Sequence, residues 1–218
     1  MKGWLYQAQR IRRSLADTTS VPLDELLLMR DMNGTLARAM QPAPGVVPRA
    51  AAALLLLYPQ EDDLWLPLTV RSGVLPLHRG EVSLPGGSTN PEDDGPVMTA
   101  LREAQEEVGL DPAGVEVWGT LTPFYIPPSN FMLTPVVGFT PTPPLLHPNP
   151  DEVETVFSVP LSRLFDPATI VEEEWTLYGM QVRVPFFALE GYKVWGATAI
   201  VISELLARLR RVGEGEGA

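Results

Sequence analysis

Apolar positions follow two regimes along the chain. Up to residue 39 they recur at helical spacing, at Trp4, Ile11 and Leu15 and again through Leu26, Leu27 and Met29. This predicts two helices, the second capped by Asp24 after Pro22. The stretch "QPAPGVVP" that follows reads as a linker, so residues 1–44 form a helical extension. From Arg49 the pattern becomes that of strands, in "AAALLLLYP", "LWLPLTVRS" and "EVSLPGG", punctuated by Gly and Pro. A helix is predicted from Pro96, suited to a first turn, to Val108, with Gly109 just beyond its end. Strands resume in "VEVWGTLTPFYIP", "FMLTPVVGFT" and "ETVFSVPL", and "EEEWTLYG" with "MQVRVPFFALE" predicts a hairpin. The amphipathic "GATAIVISELLARLRR" closes a main domain over residues 45–212, and residues 213–218 read as a frayed tail. Strands, a helix, more strands and a helix imply an α/β fold with a mixed sheet covered by helices.

Composition narrows the chemistry. With no cysteine and two histidines among 218 residues, disulfides, thiolate zinc sites and cysteine nucleophiles are excluded, and a metal would be held mainly by oxygen. A net charge of −11 opposes binding to nucleic acid or an anionic membrane, since a negative field repels polyanions. The N-terminus has arginines where a signal peptide needs an apolar core, so the chain reads as cytoplasmic. "AAALLLLY" falls far short of the roughly 20 residues that span a bilayer and reads as a buried strand.

The segment "GGSTNPEDDGPVMTALREAQEEVGL" concentrates charge. At about 100° per residue, Glu106 lies about 60° behind Glu103 and Glu107 about 40° ahead of it, so the three carboxylates share one helical face. Left bare they repel, and at least one pKa rises; a divalent cation turns the repulsion into coordination. A solvated acidic face is the alternative that spacing alone leaves open.

The run "REAQEEVGL" after the Gly86-Gly87 turn resembles the end of the Nudix box, and "LTVRSGVLPLHRGEVSLPGG" is similar to the signature of the coenzyme A pyrophosphatase branch of the Nudix hydrolases. "PSNFMLTPVVGF", "NPDEVETVFSVPLSRLFD" and "VWGATA" extend the likeness over about Arg49 to Arg210. Two positions depart from the branch: its arginine falls at Pro76 and its phenylalanine at Leu84. The loop before Arg102 is one residue longer than the general spacing, so the first glutamate of the box has no unique match among Glu92, Asp93 and Asp94.

The resemblance implies an α/β/α sandwich and hydrolysis of the diphosphate of coenzyme A or acyl-coenzyme A to 3′,5′-ADP and (acyl-)4′-phosphopantetheine, with Mg2+ or Mn2+. It further implies Glu103, Glu106 and Glu107 as metal ligands with the Gly87 turn assisting, Glu103 also as proton acceptor, and Arg102 as the group orienting a box glutamate. Glu152, ahead of Glu154, is the candidate for a further catalytic carboxylate. Arg71, Gly86 and Arg79 are candidate substrate contacts, since a guanidinium binds phosphate oxygens in pairs. Another nucleoside diphosphate derivative, such as ADP-ribose or a dinucleotide, is the alternative substrate, and a non-catalytic ligand sensor on the same fold is the alternative of a different class. His78 reads as a hydrogen-bonding loop residue, and Trp65, Trp118 and Trp195 as core or helix-packing groups rather than base-stacking platforms. The N-terminal helices are a candidate surface for a homodimer.

Overall fold

A computed structural model describes residues 3–72, 81–177 and 179–214. The apolar run predicted as a buried strand is β2 (Arg49–Gln60), and both its faces are covered. Ala52, Leu54 and Leu56 pack with Ala100, Ala104 and Val108 of α2 (Gly95–Val108). Ala51, Ala53, Leu55 and Leu57 face the opposite way, into the main core with Ile11 of α1 (Gly3–Ala16) and Ile202, Leu205 and Leu209 of α4 (Gly196–Glu214). Period-two alternation sends successive side chains to opposite faces, so a strand sandwiched between helices needs apolar residues at every position. This is the α/β/α layering expected.

Around β2 an eight-stranded sheet is built from β3 (Asp63–Arg71), β4 (Val82–Ser83), β5 (Gly86–Ser88), β6 (Glu116–Thr120), β7 (Phe124–Ile126), β8 (Phe131–Phe139) and β9 (Val153–Pro160). The β2–β8 pairing is parallel and the others antiparallel, so the sheet is mixed. A second sheet of four strands departs from the single sheet expected. It joins the predicted hairpin, β10 (Ile170–Leu177) and β11 (Met180–Leu189), to β1 (Arg30–Asp31) and β12 (Tyr192–Val194). Exposed and half-buried positions alternate along β10, a pattern that keeps one face in solvent and cannot sit inside a layer covered on both sides. The short helix α3 (Leu161–Leu164) follows β9.

The second N-terminal helix does not form. Leu23–Glu25 is a single 3-10 turn without a side-chain cap, and the chain then runs extended into β1. Tertiary hydrogen bonds replace those of a helix: the Leu27 amide donates to the Ser203 hydroxyl of α4 at 3.1 Å, and Arg30 and Asp31 pair with Arg183 and Val182. The Asp31 carboxylate then accepts from the Asn33 and Thr35 amides, a local competitor of helical bonding. The extension is part of the main core, since Ala8 and Ile11 are buried in it and Trp4, Leu27 and Met40 pack against it. Helix α4 reaches Glu214, two residues into the segment read as a tail. Among the described residues no helix is long and apolar enough to cross a membrane.

Candidate active site

Helix α2 carries the acidic cluster and is stopped as predicted: Gly109 takes φ +65°, a left-handed turn that a residue without Cβ adopts at little cost. Carbonyls left over at its last turn are used by a loop, with the His147 and Asn149 amides donating to Val108 and Glu107 at 2.7 and 2.8 Å. The same loop then turns on Asn149, whose carbonyl accepts from Glu152 and Val153. Anchoring it at the helix end delivers Glu152 beside the helix.

Glu103, Glu107 and Glu152 line one cleft of about 420 Å³ together with Arg71, Gly86 and Gly87. Glu106 stands outside the lining, with its side chain 52% exposed, and accepts from Arg102 at 2.9 Å. Three acids on one helical face thus divide: two turn towards the cleft and one towards solvent. Glu152 reaches the cleft while Glu154 is exposed. A register shift between Val70 and Arg71 against β9 separates them, because Val70 pairs with Thr155 and Arg71 with Val153. Such a bulge re-aims the residues around it. Here it turns Arg71 into the cleft, where Nη1 lies 3.9 Å from Glu107 Oε1 and Nε is buried without a hydrogen-bond partner among the described residues.

Burial sets the electrostatics. The Glu107 side chain is 4% exposed, and its pKa is pushed up to about 8 by desolvation, against the opposing charge of Arg71 and with the added repulsion of Glu103 and Glu152. Glu103 is raised as well, first by burial, while its hydrogen bond and charge contact with Arg102 pull the other way. Gly87 explains how close these groups come to the main chain. A Cβ there would fall 2.5 Å from Glu103 Oε2, so the carboxylate occupies the space a side chain would fill.

Arg102 lies behind the cleft and organises it. Its Nε and Nη2 donate to Asp93 at 3.0 and 2.9 Å, Nη2 also to the Ser88 carbonyl at 2.9 Å, and Nη1 holds Glu103 and Glu106, each at 2.9 Å. Of the three neighbouring acids that spacing leaves open, Asp93, whose side chain is 2% exposed, is the one bonded to Arg102. The Arg102 hydrogen bonds, then the Asn90 amide, hold its carboxyl well below the usual range. Arg102→Ala is expected to cut kcat/KM by more than about tenfold, because small displacements of a reacting group are costly. Arg102→Lys should recover little of it, since an ammonium cannot reproduce the fork. Steady-state kinetics of both variants checks this.

The opposite wall was not legible in sequence. Ile126, Phe131 and Trp195 line the cleft, and Trp195, expected in the core, also meets Trp175 edge-on at 5.2 Å. Phe131 carries the Arg49 guanidinium 4.4 Å above its ring. Trp65 and Trp118 lie away from the cleft, the first donating to the Gln60 carbonyl and the second stacked on Phe139. Pro76, His78 and Arg79 lie outside the described residues.

Whether this donor set suits Mg2+ or Mn2+ follows from its chemistry. Among the described residues no three acidic or histidine side chains are already drawn into a cage, because Arg102 holds Glu103 and Glu106 while Glu107 turns to the Gly86 amide. The donors are hard oxygens, however, and Glu103 and Glu107 have a raised affinity for protons that a cation would replace. They fit such an ion.

The family model of the NUDIX domain matches residues 47–178, and the chain belongs to the Nudix family. It is a Nudix hydrolase, an enzyme of the class that splits nucleoside diphosphate derivatives with the help of divalent cations. The Nudix hydrolase NudL of Photorhabdus laumondii is 37% identical over 159 residues, which span 73% of this chain and 84% of that protein. Mitochondrial Nudix hydrolase 15 of Arabidopsis thaliana is 38% identical over 167 residues, 71% of this chain and 56% of the plant protein. The peroxisomal coenzyme A diphosphatase NUDT7 of Mus musculus is 43% identical over 128 residues, 59% of this chain and 54% of the mouse protein. The chain thus matches about half the length of the plant and mouse relatives. Among solved structures, the Nudix hydrolase RenU of M. smegmatis is similar over 78% of this chain and 86% of its own, at 18% identity and a TM-score of 0.49.

Proposed function

We propose that the chain hydrolyses the diphosphate of coenzyme A or an acyl derivative to 3′,5′-ADP and 4′-phosphopantetheine or its acyl form. The observation that carries a diphosphate reaction is the meeting of Glu103, Glu107 and Glu152 with Arg71 and the Gly86-Gly87 pair of β5 in one cleft. The choice of coenzyme A is supported by the motifs around "LTVRSG" and "SLPGG" and by the likeness to the mouse diphosphatase.

In this reading Glu103 and Glu107, with the Gly87 carbonyl and with Glu106 at the solvent side of the same helical face, would hold Mg2+ or Mn2+. Bound there, the ion supplies positive charge against the diphosphate oxygens and makes the attacking water more acidic. Arg71 binds the diphosphate through its guanidinium. Glu152, which forms no ion pair with any described residue, takes the proton as water adds to phosphorus; the bond to the bridging oxygen breaks and its electrons leave with the departing phosphate. Arg102 positions Glu103 and Glu106, and Ile126 and Phe131 exclude bulk water from one side.

Product identification across coenzyme A, dephospho-coenzyme A, ADP-ribose, NADH and nucleoside triphosphates tests the assignment. Coenzyme A is expected to give the highest kcat/KM. If ADP-ribose or dephospho-coenzyme A is cleaved faster, the coenzyme A assignment fails.

The cation also bears on stability. In metal-free protein Glu107 keeps its proton up to about pH 8, whereas in the unfolded chain it loses it near pH 4.3. Between these values the folded form binds the extra proton, so raising the pH favours unfolding. In EDTA the melting temperature is expected to fall between pH 5 and pH 8, and Mg2+ or Mn2+ is expected to restore it most at the alkaline end. Scanning calorimetry checks both, and a metal effect of the same size in a Glu103→Gln, Glu107→Gln double variant would place the ions elsewhere.

A further inference from the structure

Beside the catalytic cleft lies a smaller pocket of about 40 Å³ walled by Leu28, Met29, Leu36, Met40, Phe124 and Ile200. Arg38, Ile126, Gly196 and Ala197 border both spaces, so the pocket opens off the cleft. Residues 28–40 precede the segment matched by the NUDIX domain. They approach the cleft because the extension runs extended across α4 instead of coiling into a helix.

The chemistry of the lining limits what can enter. Away from the Arg38 rim it is aliphatic, thioether and, at Phe124, aromatic, and the phenol of Tyr125 at its edge already donates to Asn130 at 3.0 Å. A nucleobase or a phosphate buried there would leave polar atoms unpaired, which is costly. A cavity of this size takes about three waters, or a hydrocarbon group of about four carbons. Met29 and Met40 are unbranched and adapt to a branched shape.

We infer that this pocket receives the apolar carbons that follow the diphosphate on the non-nucleotide side of the substrate, with Arg38 on the shared rim against the adjoining phosphate. The inference builds on the coenzyme A reading, since in coenzyme A the first carbons beyond the diphosphate are a methylene and a dimethyl-substituted carbon. The N-terminal extension is thereby a specificity element of the active site.

Two synthetic probes separate this from the rest of the substrate: ADP esterified on its terminal phosphate with a methyl group, and the same with a 2,2-dimethylpropyl group. At fixed Mg2+ the wild type is expected to show at least about a tenfold higher kcat/KM for the branched ester, because each added carbon fills apolar space. Ile200→Trp and Leu36→Trp, confirmed as folded by circular dichroism, are expected to bring the ratio to within about twofold of unity. Any intrinsic difference in reactivity cancels between variant and wild type. Arg38→Ala is expected to lower kcat/KM for both esters by similar factors. Equal rates for the two esters in the wild type, or a ratio unchanged in both tryptophan variants, overturn the pocket; if neither variant folds, the wild-type ratio decides. Coenzyme A and ADP-ribose run in the same assay keep the two questions apart. A branched preference that collapses on filling, with ADP-ribose the better natural substrate, upholds the pocket while removing the coenzyme A assignment.

Discussion

Glu107→Gln is expected to lower turnover at saturating Mg2+ by at least about 100-fold and to leave the metal-free protein at least as stable as wild type at pH 8. The two halves have one cause. A buried carboxylate, 4% exposed and with its pKa at about 8, is unfavourable until a cation or a proton offsets its charge. The amide keeps the shape and removes the charge, so it relieves the metal-free fold while depriving the site of a hard ligand. Activity and fold thus pull in opposite directions at one position, as happens where a site stores unfavourable electrostatics. Calorimetry in EDTA and kinetics in Mg2+ on the same preparation check both halves. A variant that is inactive and also melts well below wild type would mean that Glu107 serves mainly the fold.

Adjacent glycines are expected to fail in different ways. At Gly86 an added Cβ would lie 2.4 Å from the Ala52 carbonyl oxygen and 2.5 Å from Ala53 Cα. Both are main-chain atoms of the central strand and cannot yield without parting β5 from β2. Gly86→Ala should cost about 3 kcal/mol of stability. At Gly87 the same methyl group meets the Glu103 carboxylate at 2.5 to 2.7 Å, the far end of a side chain that can rotate away. Gly87→Ala should therefore fold with a near-normal melting temperature and lose about 100-fold in kcat, because Glu103 is displaced from its place in the cleft. Thermal melts and steady-state kinetics of the pair test the contrast. Equal losses of stability would show that the Glu103 carboxylate cannot move.

Much of this arrangement is local and was readable in the chain. The α2 helix follows from its own apolar spacing, from Pro96 at its start and from Gly109 at its end, and the three glutamates fall on one face by helical geometry alone. The unbroken apolar run of β2 announced a strand covered on both sides. The glycine pair Gly86-Gly87 was visible as well but reads as a turn, whereas both residues lie in strand β5 against Ala53 and Ala52, where the missing side chains admit the main chain of β2 and the Glu103 carboxylate.

Other features depend on contacts that spacing does not encode. Which of Glu92, Asp93 and Asp94 pairs with Arg102 is decided where the loop folds back on α2, and Asp93 alone among them bonds to the guanidinium. Glu152 and Glu154 are indistinguishable as letters; a register shift on β9 puts one in the cleft and the other in solvent. Leu26, Leu27 and Met29 fit a helical pattern as well as an extended one, and the Ser203 hydroxyl and the edge of β11 tip the balance by satisfying backbone groups that a helix would have satisfied internally. The cleft wall from Ile126, Phe131 and Trp195, and the rim at Arg38, come from segments far apart in the chain. By itself, then, the sequence determined the helix that bears the acids and the buried strand, because hydrophobic period and helix-end signals act over a few residues. Tertiary structure decided which acids meet, which arginine faces them and what the N-terminal segment becomes, because those outcomes depend on burial and on hydrogen-bond partners brought from elsewhere in the fold.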